Sequence, residues 1–163
     1  MSNNRRGFTL IELVVAIGIL VMVLSFIFSS LFFGMKTFSK SDSQYQLQSE
    51  LRFAADFIVK ELRNASVLTL LDSFVKEQGY HYIYVNNNNQ LIYEFNTEKK
   101  QLTSIVLNAS SFGLLKNGTR NRLTIALRGG LKDQSYDVTT EVLLNNIFDM
   151  GAASNKKVIK YKK

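Results

Sequence analysis

From Leu13 through Met35 the sequence carries no charged residue, a run of 23 positions that starts directly after a glutamate, Glu12. At 1.5 Å per helical residue such a run reaches about 34 Å, enough to cross a hydrocarbon core of about 30 Å. The segment therefore reads as a membrane helix, and Glu12 is its anomaly. A carboxylate well inside hydrocarbon costs from about 3 to more than 10 kcal/mol, depending on depth. Glu12 needs either a partner or a place at the headgroup boundary, where charges near helix ends cost little.

A cleaved secretory signal has a shorter apolar core, of about 7 to 15 residues, followed by a small-x-small site. Here the run ends in FIFSSLFFGMK, where only Ser29 and Ser30 are small and phenylalanines crowd them. An ordinary secretory signal does not fit. Flanking charge leaves orientation open, because Arg5 and Arg6 on one side face Lys36 and Lys40 on the other.

With 163 residues the chain has room for one domain and an appendage. It contains no cysteine, which excludes disulfides, thiol catalysis and thiolate zinc sites. Its one histidine, His81, excludes a multi-histidine metal site. The formal net charge of +7 permits an anionic partner without requiring one.

Beyond the apolar run, Leu47, Leu51, Ala54, Ala55, Ile58, Leu62 and Ala65 recur at steps of three and four, the stripe of an amphipathic helix. Glu50, Arg52, Asp56, Lys60, Glu61 and Arg63 lie largely outside it. The chain has no proline to separate this stretch from the preceding one. Residues 8–64 thus read as one nearly continuous helix, about 85 Å long. Gly18 and Gly34 are its weakest points. Phe53 and Phe57 are expected to widen the apolar face and sit beneath a sheet as core residues.

The period then changes to two. YHYIYV and QLIYEF flank NNNN as a hairpin, and QLTSIVL, NRLTIAL and SYDVTTEVLL are further strand candidates between turns such as LLKNGTRN and RGGLKDQ. Five strands after one long helix predict an α+β fold with the helix laid across an antiparallel β-sheet.

The head of the chain has a distinctive order: a short basic leader, Gly7, Phe8, then T-L-I-E-L and the apolar run. This stretch, RRGFTLIELVVAIGIL, resembles the class III leader of type IV prepilins and type II secretion pseudopilins. SELRFAADFIVKELRNA and SYDVTTEVLLNNI are similar to parts of the PilW and J-type minor pilins. Glu12 argues against a K-type tip pseudopilin, and Ser29 stands where many type IV pilins carry a proline.

The resemblance implies a pilin-like fold and cleavage by prepilin peptidase between Gly7 and Phe8, with N-methylation of Phe8. It implies that Glu12 docks against the first residue of a neighbouring subunit. Two unit charges about 4 Å apart attract by roughly 4 kcal/mol at an effective dielectric near 20, comparable to the cost of holding either alone. The implied organisation is a leader at 1–7, a transmembrane and assembly half-helix at 8–35, an amphipathic half-helix at 36–66, a globular β-domain at 67–155 and a basic tail at 156–163.

The implied function is that of a minor pilin or pseudopilin that initiates or caps a type IV pilus, type II secretion or competence pseudopilus. Its partners would be major and minor pilins, the peptidase, and the cytoplasmic membrane with its assembly platform. The chain would be single-pass with its C-terminal domain outside before entering the fibre. The competing class is a singly anchored extracellular module that binds a ligand or DNA.

No catalytic constellation, cofactor site or metal site is expected. His81 lies in an alternating strand with no second ligand, and the acidic residues form no general acid/base pair. Asp133 to Asp137 lacks EF-hand spacing and reads as a turn rather than a calcium loop. The lysines at 156, 157, 160, 162 and 163, with Tyr161 among them, read as a solvated tail or charged edge strand rather than a nucleic-acid contact.

Overall fold

The computed structural model describes residues 7–117, 120–147 and 153–163, with side chains omitted at 116, 117 and 120. Residues 1–6 of the expected leader, including Arg5 and Arg6, lie outside the described residues, as do parts of the expected β-domain at 118–119 and 148–152. The described residues form one helix and nine strands in order. They are α1 (Leu10–Leu62), β1 (Val67–Leu71), β2 (His81–Val85), β3 (Leu91–Phe95), β4 (Glu98–Gln101), β5 (Val106–Asn117), β6 (Arg120–Leu131), β7 (Gln134–Leu143), β8 (Ala153–Lys156) and β9 (Val158–Lys162). The fold is α+β and pilin-like, a long N-terminal helix followed by antiparallel sheet.

The chain divides into two compact units, Met1–Ser41 and Asp42–Lys163, and α1 contributes to both. In the first unit the apolar side chains of α1 are exposed. In the second unit the stripe Leu47, Leu51, Ala54, Ala55, Ile58 and Leu62 is buried, together with Ala65 just beyond the helix. The periodicity of three and four is thus realised in full. Phe53, expected beneath a sheet, is 55% exposed. Phe57 is half-buried and meets Tyr93 edge-on, with ring centroids 5.4 Å apart.

Two sheets replace the single one expected. The first has the order β1-β9-β2-β3-β4 and the second β7-β6-β5-β8. The core joins both to α1: Ile83, Leu91, Ile159 and Tyr161 from the first sheet, and Phe112, Leu114, Leu123, Ile125 and Leu127 from the second. Side chains of α1 reach the backbone of β6 at Gly129. A Cβ there would lie 2.8 Å from Ile105 Cδ1, 3.2 Å from Leu51 Cδ1 and 3.3 Å from Leu47 Cδ2. Only a residue without a side chain lets α1 settle onto β6 undisturbed.

Four of the nine strands were not expected, and one expected boundary moves. QLTSIVL does not form one strand: Gln101 ends β4, and β5 begins only at Val106. LLKNGTRN is not a turn throughout, because β5 and β6 pair from Val106↔Gly130 to Asn117↔Arg120.

The larger correction concerns residues 156–163. They are not a tail: β9 is an interior strand, paired with β1 on one side and β2 on the other. Val158, Ile159 and Tyr161 are buried, and three of the lysines, Lys156, Lys160 and Lys163, pair with carboxylates. Lys156 lies 2.6 Å from Asp72, Lys160 2.5 Å from Glu77 and Lys163 2.9 Å from Glu61. Long aliphatic stems let a lysine lie along a buried strand while its ammonium reaches a surface carboxylate.

Candidate functional site

The N-terminal site is built by the quartet Thr9-Leu10-Ile11-Glu12. α1 begins at Leu10, so Thr9 is its N-cap and Glu12 stands three positions beyond the cap. The Glu12 N–H donates to Thr9 Oγ1 at 3.3 Å. In return Glu12 Oε2 accepts the Thr9 N–H at 2.9 Å and the Thr9 hydroxyl at 2.8 Å. The first helical bond, from the Leu13 N–H to the Thr9 carbonyl, closes at 3.2 Å. This is a capping box, in which two otherwise unpaired donors at the helix start are satisfied reciprocally. Its carboxylate also faces the positive end of the helix dipole.

Glu12 therefore has a partner within its own chain. Thr9 was not singled out from sequence, although the T-x-x-E spacing ahead of an apolar run is the signal for it. Gly7 and Phe8 precede the cap, and Phe8 is 91% exposed. No other side chain of the described residues bonds to the Glu12 carboxylate.

C-terminal to the cap, every large apolar residue from Leu10 to Met35 is exposed, as is Phe38 beyond them. The helix is long and apolar enough to cross a membrane, and no part of its most apolar window is buried. Burial of such surface in lipid or against other helices is worth about 25 cal/mol per Å². Gly18, Val21, Met22, Ser25, Phe26 and Ser29 outline a shallow concavity on it. The Ser25 hydroxyl there donates to the Val21 carbonyl at 2.8 Å, so it adds no unpaired polar group.

The remaining candidates are structural. His81 is half-buried in β2, stacked on Phe95 with centroids 3.9 Å apart, and its Nδ1 lies 2.8 Å from the Tyr93 hydroxyl. Burial and the nearby Lys163 ammonium hold its pKa below the ordinary imidazole value, against the opposing pull of Glu61. Asp133 occupies the β6–β7 turn, while Asp137 in β7 pairs with Arg128 at 3.1 Å. Among the described residues no three His, Cys, Asp or Glu side chains gather as a metal site.

Two carboxylates fasten α1 to the sheets. Glu50 accepts the N–H of Ser104 at 2.7 Å and of Ile105 at 3.1 Å, along with the Ser104 hydroxyl. Glu61 accepts the Tyr161 hydroxyl at 2.6 Å and the Lys163 ammonium. Partial burial opposes ionisation of both, but these bonds outweigh it and hold each carboxyl below the ordinary range.

Residues 2–28 match the prokaryotic N-terminal methylation motif. No curated protein matches the chain. Among solved structures, the fold is similar to a point mutant of the PilB minor pilin from Streptococcus sanguinis, with a TM-score of 0.53 at 15% identity over 73% of this chain. The chain spans about a third of that protein's length, 34% of it being covered. By its N-terminal motif and its fold the chain is type IV pilin-like. That motif and the long apolar helix fit membrane anchoring.

Proposed function

We propose that this chain is a minor pilin or pseudopilin that starts or caps a helical fibre, either a type IV pilus or a type II secretion or competence pseudopilus. Prepilin peptidase cuts between Gly7 and Phe8, and Phe8 is then methylated. The observation that carries this reading is the methylation motif at 2–28 running into a helix whose apolar surface is exposed.

Cleavage exposes an amine at Phe8, four residues from the Glu12 carboxylate. In the fibre Glu12 meets the Phe8 amine of a neighbour, while the apolar helices bundle. Before assembly the Thr9 cap shields Glu12, so the carboxylate enters the membrane with two hydrogen bonds already made. The protein acts as a structural subunit and as a substrate of the peptidase and methylase. Its neighbours are other pilins and the assembly platform of the cytoplasmic membrane.

Mass spectrometry of the mature N-terminus, on protein taken from native membranes, tests the reading. A chain beginning at methylated Phe8 supports it, and one that still begins at Met1 or Ser2 refutes it. Glu12→Ala then separates subunit from tether: a subunit loses fibre incorporation while remaining in the membrane. The self-satisfied cap favours the second reading, a singly anchored binding module, because Glu12 has its task without a neighbour. In that case Glu12→Ala leaves function intact. Abundance in sheared fibres distinguishes a minor from a major subunit.

A further inference from the structure

A cleft of about 660 Å³ opens where the β2–β3 hairpin, the start of β5, the β8–β9 corner and the segment after β1 come together. Its size is that of a small-molecule site, about 300 to 1,000 Å³. The asparagine run at 86–89 forms one rim. Two of these residues are needed by the turn. Asn86 Oδ1 accepts the N–H of Asn88 and of Gln90, each at 2.9 Å, and Asn89 adopts a φ of 56°. The Asn89 carbonyl also accepts the Leu107 N–H at 2.7 Å, which ties the hairpin to β5.

Asn87 has no such duty. Among the described residues its side chain makes no hydrogen bond, yet it lines the cleft. On the opposite rim the register of β5 shifts between Leu107 and Ala109, and Asn108 at this irregularity also lines the cleft, its amide lying beside Gly130 of β6. Lys157 is a further polar liner, and among the described residues it has no ion-pair partner. The other charges near it are spent on each other, Asp72 being matched by Lys156 at 2.6 Å. Phe74 supplies an apolar wall, partly exposed and stacked on Tyr84 with centroids 4.4 Å apart.

We infer that this cleft is a saccharide-binding site for an oligosaccharide that carries a carboxylate. Primary amides both donate and accept, which matches hydroxyl groups that do the same. The exposed ring of Phe74 offers an apolar surface to the C–H face of a sugar. The unpaired Lys157 ammonium gives the cleft one uncompensated positive charge, suited to one carboxylate. A nucleic acid would call for several such cations. The inference is independent of fibre assembly, because binding belongs to the chain alone.

The test uses the full chain in detergent micelles and isothermal titration with a tetrasaccharide containing one uronic acid, and with its carboxyl-reduced form. The expected result is binding of the acidic tetrasaccharide, about tenfold tighter than the reduced form. Lys157→Gln abolishes that difference, and Asn87→Ala with Asn108→Ala weakens both about tenfold at an unchanged melting temperature. If the double variant melts earlier, Asn87→Ala alone decides, since its side chain bonds to nothing in the turn. Absence of binding to an array of neutral and acidic oligosaccharides overturns the inference. So does binding that survives the Asn87→Ala change, or binding of an acidic peptide in place of sugar.

Discussion

The two halves of α1 share one backbone helix and have opposite fates. Between Leu10 and Met35 apolar residues cover every face and all the large ones are exposed, whereas between Leu47 and Leu62 most are gathered in one buried stripe, with Phe53 left exposed beside it. The difference lies in the sequence pattern, not in helix propensity. A helix apolar all round needs a surrounding that is itself apolar, while a striped helix needs only a sheet to lie on. The first half is made for association with partners outside the chain, and the second for folding.

That contrast can be broken most forcefully from the core side. Phe112→Ala, at a fully buried position, should cost about 3 to 5 kcal/mol in denaturant unfolding of the full chain in detergent, while Leu20→Ala should leave that transition in place. Equal losses would mean that the halves are not distinct. Gly129→Val should come next, at about 1 to 3 kcal/mol, because the added Cβ meets Ile105, Leu51 and Leu47. A smaller effect, about 1 kcal/mol, is expected of Glu50→Ala, which strips partners from the Ser104 and Ile105 amides at a partly solvated site. Thr9→Ala should cost about as much but locally: amide exchange at Leu10 to Leu13 accelerates while the global transition stays put.

The response to acid sharpens the same distinction. Glu50, Glu61 and Glu94 have folded pKa values below the ordinary carboxylate value. Their contribution is complete above about pH 4.5 and is lost as pH falls through the folded values. His81, whose folded pKa is below the ordinary imidazole value, subtracts stability as pH falls from about 6.5 toward that value. Every term has the same sign, so melting temperature should decline from pH 7 to pH 3. Glu61→Gln should flatten the lower part of that curve, and an unchanged slope would remove Glu61 from the account.

The helix was legible because its code is local. Leu47, Leu51, Ala54, Ala55, Ile58, Leu62 and Ala65 announce their face through spacing alone, and these seven are buried. β2, β3 and β7 were legible for the same reason, their alternation being visible over five or more residues. β4, with the sequence EKKQ, offers no apolar residue and is held by its pairing with β3 and by Lys99 and Lys100, which lie over the Tyr84 and Phe57 rings. β9 was hidden by the lysines in and beside it, of which Lys160 is matched by Glu77 and Lys163 by Glu61, residues far away in sequence. The division into two sheets is equally non-local, since it depends on β9 pairing between β1 and β2. At the N-terminal site Glu12 drew attention by its charge, but Thr9, which holds it, did not, because a threonine before an apolar run carries no such contrast.

The place of β9 has a consequence for the order in which the protein can form. Val67 pairs with Lys162, so the five-stranded sheet is joined by contacts between residues 95 positions apart. Until β9 arrives, β1 and β2 have no common neighbour, and Ile83 and Leu62 lack the Ile159 and Tyr161 side chains that complete their core. Contacts of such high sequence separation form late, after the loop-closure entropy has been met. Helix and hairpins can be made as the chain emerges, but the first sheet is closed by β9, which follows every other strand of that sheet in sequence, and nascent chains that stop short of Val158 remain open along the seam that β9 fills.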